Sequence, residues 1–119
     1  MDLSNRSLGR WGEDRAVRYL RQLGYRIIDR NWRAPEREVP GELDIVAADG
    51  DVVVVCEVKT RRRPGRGGAV GAVDAAKQLR IRTLTESWLR QRPDEGCAGV
   101  RFDVVTVEGV RLRHWPSAF

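Results

Sequence analysis

Two apolar runs, Gly41 to Ala48 and Val52 to Thr60, flank the dipeptide Asp49-Gly50, and no other feature restricts the fold of this chain as much. Asp-Gly between two strand-like runs signals a two-residue hairpin, because such a loop needs a backbone conformation that glycine adopts without steric cost. A lone hairpin is barely stable in water, so other elements must cover it.

The rest of the chain supplies those elements. Leu8 to Leu23 reads as a helix, with Ser4, Asn5 and Ser7 as caps and Gly24 as the stop. Its apolar stripe is Ala16, Leu20 and Leu23, flanked by Val17 and Tyr19. Tyr25 to Trp32 reads as a strand, followed by a polar loop through Pro40. Arg61 to Gly71 is rich in Arg and Gly and predicts a loop. A second helix follows over Val73 to Arg90, with the stripe Val73, Ile81, Leu84 and Trp88. Val100 to Val107 and Val110 to Trp115 close the chain as a hairpin around Glu108-Gly109. The predicted order is α-β-β-β-α-β-β, an α/β fold with helices packed on a mixed sheet. All 119 residues, 1-119, are expected in a single domain.

Hairpin parity brings three ionisable residues together. With Asp49-Gly50 as the turn, Ala48 faces Asp51 and Asp44 faces Val55, and facing residues share a side of the sheet. Alternation then places Glu57 and Lys59 on that side, while Val54, Cys56 and Val58 point the other way. A three-residue loop would break this parity. Two carboxylates a few ångströms apart repel unless a proton or cation lies between them. Hard oxygen ligands of this kind suit Mg²⁺ or Mn²⁺. A neighbouring ammonium can orient an attacking water, help deprotonate it, or offset charge on a pentavalent phosphate. Of 22 basic residues, only Lys59 and Lys77 are lysine, and lysine is a compact charge whose pKa responds to its surroundings. The alternative for Asp44 and Glu57 is a pair of solvated positions on a half-exposed sheet face.

Other residues carry open alternatives. Glu13 projects from the edge of the first helix's buried face, an unusual place for a carboxylate; a cap or an ion pair near Arg10 is its plainer role. Glu42 reads as a surface neighbour, with a second metal as the alternative. Lys77, four residues before Ile81, either snorkels out of the core or approaches a substrate phosphate.

Glu57-Val58-Lys59 downstream of Asp44 resembles the PD-(D/E)XK motif of restriction-endonuclease-like nucleases and archaeal-type Holliday junction resolvases. Five ordered blocks resemble the bacterial YraN-like family across nearly the whole chain: Gly9-Arg10-Trp11-Gly12-Glu13, Arg30-Asn31-Trp32-Arg33, Gly41-Glu42-Leu43-Asp44, Glu57-Val58-Lys59-Thr60-Arg61 and Arg101-Phe102-Asp103-Val104-Val105. The resemblance implies a restriction-endonuclease-like core with Mg²⁺ or Mn²⁺ held by Asp44, Glu57 and the backbone carbonyl of Val58. It implies a catalytic set of Glu13, Asp44, Glu57 and Lys59, in which Glu13 matches the acidic residue that the first helix contributes in resolvase-like members. One departure is that Leu43, not proline, precedes Asp44, with Pro40 displaced upstream. By likeness the chain would be an Mg²⁺-dependent endonuclease or a nuclease-like DNA-binding protein, acting on branched or single-stranded DNA and favouring a homodimer.

Charge points the same way. The net charge of +5 favours a polyanionic partner, because arginine and lysine neutralise phosphates and release counterions. Arg61, Arg62, Arg63 and Arg66 leave directly from the proposed site and, with Lys77, are the candidate phosphate contacts, giving affinity without sequence specificity. Trp11 and Trp32 either stack bases or serve packing and interfaces; Trp88 reads as core, and Asp103 as a structural hydrogen-bonding residue. Two rival functions stay open: a non-catalytic nucleic-acid-binding module, and a partner-binding protein anchored by tryptophans.

Several classes are excluded. Two cysteines make no disulfide framework or zinc site; Cys56 reads as a small core residue, and Cys97 lies in a Gly-rich connection. A single histidine, His114, argues against a His pair or a Ser-His dyad. No apolar run reaches the ~20 residues that span a bilayer, so no membrane partner is expected. Met1 to Arg10 lacks a signal-peptide core, and a cytoplasmic location is the expectation.

Overall fold

Four consecutive valines, Val52 to Val55, cannot alternate between core and water, and such a run demands cover on both faces of a sheet. The computed structural model, which describes residues 5–35, 39–62, 73–95 and 98–119, makes this segment the central strand of five. The elements are α1 (Asn5–Gln22), β1 (Arg26–Trp32), β2 (Leu43–Asp49), β3 (Val52–Arg61), α2 (Ala75–Arg90), β4 (Gly99–Glu108) and β5 (Arg111–Trp115). Spatial order follows chain order, β1-β2-β3-β4-β5. Only β3 and β4 run parallel, and their connection carries α2, as a parallel crossover requires. The α/β order expected from sequence is the one observed.

Each helix covers one face. On one side Ala16, Val17 and Leu20 of α1 meet Ile45, Ala47, Cys56, Val105 and Val107. On the other, Ile81, Leu84 and Trp88 of α2 meet Val46, Val53, Val55 and Val104. Val53, Val54, Val55 and Cys56 have no solvent exposure. Gly12 lets α1 settle directly on β3, since a Cβ there would overlap the Thr60 side chain. That contact carries the next residue, Glu13, to the sheet.

Local chemistry shifts several boundaries. Helix α1 starts at Asn5 rather than Leu8 and ends at Gln22, so Leu23 falls outside it and is 49% exposed rather than part of the buried stripe. Gly24, with φ 92°, turns the chain away there. Helix α2 begins at Ala75 rather than Val73, because Asp74 caps it by accepting from the Lys77 amide at 2.8 Å.

Both hairpin turns are displaced by one residue. Asp49 pairs with Val52, so the loop is Gly50-Asp51, not Asp49-Gly50. Glu108 pairs with Arg111, so the second loop is Gly109-Val110. Gly50 and Gly109 hold φ of 61° and 60°, each at the first central position, where glycine sits in a type II′ turn. This slides the expected β2–β3 register by two residues. Parity survives, and Asp44 comes opposite Glu57 instead of Val55.

Candidate active site

Beyond the Ile45–Cys56 pair, side chains take over from the β2–β3 ladder. The Asp44 amide donates to Glu57 Oε2 at 3.3 Å, and the Val58 amide donates to Asp44 Oδ2 at 2.9 Å. Each carboxylate is thus gripped by the opposite strand's backbone. These bonds leave Asp44 Oδ1 and Glu57 Oε1 for other partners, and Lys77 Nζ lies 3.8 Å from Glu57 Oε1. Lys59, two residues along β3 and exposed, lines a small recess with Glu57, Val58, Val73, Lys77 and Val104. At about 10 Å³ the recess is the size of about one water molecule.

Desolvation dominates the electrostatics. Glu57 is 3% exposed. Burial first, and the Asp44 charge second, push its carboxyl from the usual 4.5 up to about 8, against the pull of Lys77 and the Asp44 amide. Burial likewise raises Asp44 from 3.8 to about 6; the Val58 amide opposes this, while Glu13 adds to it. Burial also raises Glu13, against the Asn31 hydrogen bond and the Arg30 charge. The facing pair titrates as a unit, and near neutral pH it calls for a shared proton or a cation.

Its donor set decides which cation fits. Among the described residues, no three His, Cys, Asp or Glu side chains gather into a metal-binding group, so the donors available here are the two carboxylates and backbone oxygen. Two facing carboxylates, each with one oxygen free of the backbone bonds, fit Mg²⁺ or Mn²⁺, ions that keep several waters. The Val58 carbonyl, next in the chain, is a third oxygen of the same hard type.

The remaining sequence candidates separate. Glu13 Oε1 accepts from Asn31 Nδ2 at 2.8 Å, and its charge reaches both Asp44 and Glu57. Glu42 accepts from the same Nδ2 at 3.2 Å and pairs with Arg33 Nε at 3.3 Å, a surface arrangement. Lys77 keeps 39% of its side chain exposed, as a snorkelling lysine does, and its Nζ meets Glu57. Arg61 ends β3 on the side of Glu57 and Lys59 by alternation. Arg62 Nη1 donates to Asn5 Oδ1 at 3.4 Å. Arg63, Arg66 and Cys97 lie outside the described residues. Trp11 is 43% exposed with the Arg15 guanidinium over its ring, Trp32 packs against the core, and Trp88 is buried. Asp103, fully buried, accepts from Arg101, His114 Nε2 and the Ser117 amide. None of the described helices is long and apolar enough to cross a membrane.

Comparison with known proteins places the chain in a family. Residues 12–107 match the model described as "Uncharacterised protein family UPF0102". The chain belongs to the UPF0102 family. It is 48% identical over 101 residues to a UPF0102 protein of Streptomyces griseus, covering 85% of this chain and 82% of that one. A UPF0102 protein of Frankia casuarinae is 46% identical over 118 residues, 95% and 96% of the two chains. One from Rhodococcus jostii is 50% identical over 105 residues, 87% and 83% of the two. The UPF0102 match takes in Glu13, Asn31, Asp44, Glu57, Lys59 and Lys77. Membership speaks to fold, while activity must be argued from the site.

The structure adds two features that sequence reasoning missed. One is the approach of Lys77 to Glu57, which depends on how α2 docks. The other is Asn31, joined to Glu13 and Glu42. Its available signal was composition: strands disfavour asparagine, whereas left-handed backbone tolerates it.

Proposed function

We propose that this UPF0102 protein is an Mg²⁺- or Mn²⁺-dependent endonuclease acting on branched or single-stranded DNA. The observation that carries the reading is the facing pair Asp44 and Glu57, desolvated at a ladder end and gripped crosswise by the two strands. Lys77 stands against one oxygen of Glu57, and two desolvated carboxylates at one place still cost stability unless a proton or a further cation lies between them. Asp44, Glu57 and the Val58 carbonyl would hold the ion, which when bound lowers the pKa of water and polarises a phosphoryl oxygen. Lys59, exposed beside Glu57, offsets negative charge growing on the phosphate. Lys77 balances Glu57, and Glu13 lends a further carboxylate from α1 to orient water. Arg61 and Arg62, joined by Arg63 and Arg66, supply backbone-phosphate contacts, and the net charge of +5 supports them. A two-fold dimer would offer two such sites to a branched substrate.

A second reading draws on the same crossed hydrogen bonds, which also serve to finish a ladder. On it the chain is a nucleic-acid-binding module of the same fold without catalysis. Incubating the protein with branched and single-stranded DNA in Mn²⁺ or Mg²⁺ separates the two. The nuclease cleaves, and Asp44→Ala and Glu57→Ala abolish cleavage. The binding module leaves DNA intact and binds it with salt-sensitive affinity, and those substitutions tighten binding by removing negative charge.

A further inference from the structure

Asn31 stands where α1, β1 and β2 meet. The pairs Arg30–Ile45 and Trp32–Leu43 flank it, so it lies across from Asp44, which in turn lies across from Glu57. Its φ is 49°, a left-handed value inside a strand, where an extended backbone is the rule. Asparagine visits that region more readily than other side chains, yet the conformation costs energy that surrounding contacts must offset.

Those contacts are two carboxylates. Nδ2 donates to Glu13 Oε1 at 2.8 Å and to Glu42 Oε1 at 3.2 Å. One carboxamide nitrogen carries two hydrogens, enough for both acceptors. Of the nearby arginines, Arg30 pairs with Asp14 at 2.6 Å while its charge still acts on Glu13, and Arg33 pairs with the other oxygen of Glu42 at 3.3 Å. Glu13 arrives on α1, whereas Glu42 lies two residues before Asp44 on the approach to β2. The amide therefore ties the helix to the strand that carries the site, and it separates two carboxylates that repel each other.

We infer that Asn31 is a positioning residue, which clamps Glu13 to the Glu42–Asp44 end of β2 and holds it beside the Asp44–Glu57 pair. With Oε1 bound to the amide, Oε2 of Glu13 is left for water or substrate. The inference rests on the nuclease reading, because Glu13 has a chemical task only there. It assigns Asn31 no contact with substrate.

The test measures kcat and KM for Mn²⁺-dependent DNA cleavage, together with Mn²⁺ binding. The variants are Asn31→Gly, Asn31→Asp, Glu13→Gln and the Asn31→Gly/Glu13→Gln double. Asn31→Gly keeps the left-handed backbone and deletes the amide; kcat is expected to fall about 10- to 100-fold with KM little changed, the range typical of residues that orient a metal site's ligands. Asn31→Asp keeps the shape without the donor and should fall at least as far. The double variant should be no slower than Glu13→Gln, because both changes remove one arrangement. Wild-type turnover in Asn31→Gly or Asn31→Asp, or losses that multiply in the double variant, would overturn the inference and leave the nuclease reading intact. A wild-type protein that neither cleaves DNA nor binds Mn²⁺ removes the nuclease reading and the inference with it.

Discussion

Raising the pH of the metal-free protein from about 5 to about 8 is expected to destabilise it, and the cause is the Asp44–Glu57 pair. Their folded values, about 6 and about 8, lie above the ordinary 3.8 and 4.5 of an exposed chain. The native state therefore binds more protons than the unfolded state across this window. The stabilisation is complete below about pH 4 and is lost as pH rises through the two folded values. Because the carboxylates face each other, one shared proton held over about three pH units is the fair measure. At about 1.4 kcal/mol per unit that amounts to about 4 kcal/mol, or roughly 15–20 °C in Tm for a domain of this size. Urea unfolding in EDTA at a series of pH values, read from tryptophan fluorescence, measures it directly, since Trp88 is fully buried. Mn²⁺ should flatten the profile by replacing the proton, and Glu57→Gln should remove most of the slope. Stability that is flat or rising over this range, or a slope unchanged in Glu57→Gln, would refute the reasoning.

Three further substitutions test the fold. Asp103→Ala removes the carboxylate to which Arg101 Nε and Nη2 donate at 2.8 and 2.9 Å, leaving Arg101 with Asp49 and Tyr25, and should cost about 2–3 kcal/mol in urea unfolding. Burial raises the Asp103 carboxyl, but hydrogen bonds from Arg101, His114 and the Ser117 amide outweigh it and leave the carboxyl below its usual value, so its stabilisation is lost as pH falls, the opposite sign to the active-site pair. Gly12→Ala should destabilise by about 1–3 kcal/mol despite better helix propensity, because the new methyl meets Thr60; Thr60→Ala should recover part of the loss in the double variant's Tm. Trp88→Phe removes the donor that reaches Asp29 Oδ2 at 2.8 Å and should cost about 1–3 kcal/mol by urea titration.

Legibility followed the range of the interaction. Strand alternation has period two, so parity alone puts Asp44, Glu57 and Lys59 on one side even though the Asp-Gly and Glu-Gly signals set both turns one residue early. The turn position is ambiguous in sequence because Asp-Gly also suits a loop with glycine second. A loop with glycine first lets Asp49 pair with Val52. Leu23 misled for a related reason: helical periodicity assigns it to the stripe, yet Gly24 ends α1 before it can be buried.

The amino-acid pattern by itself determined the element order, the two-sided burial of β3 and the common side of the carboxylates and Lys59, because each depends on neighbours a few residues apart. Tertiary structure alone decided that Asp44 sits directly opposite Glu57, that Lys77 of α2 reaches Glu57, and that Asn31 joins Glu13 to Glu42. Those contacts join separate elements, and their geometry depends on register and helix docking, which only the packed core sets.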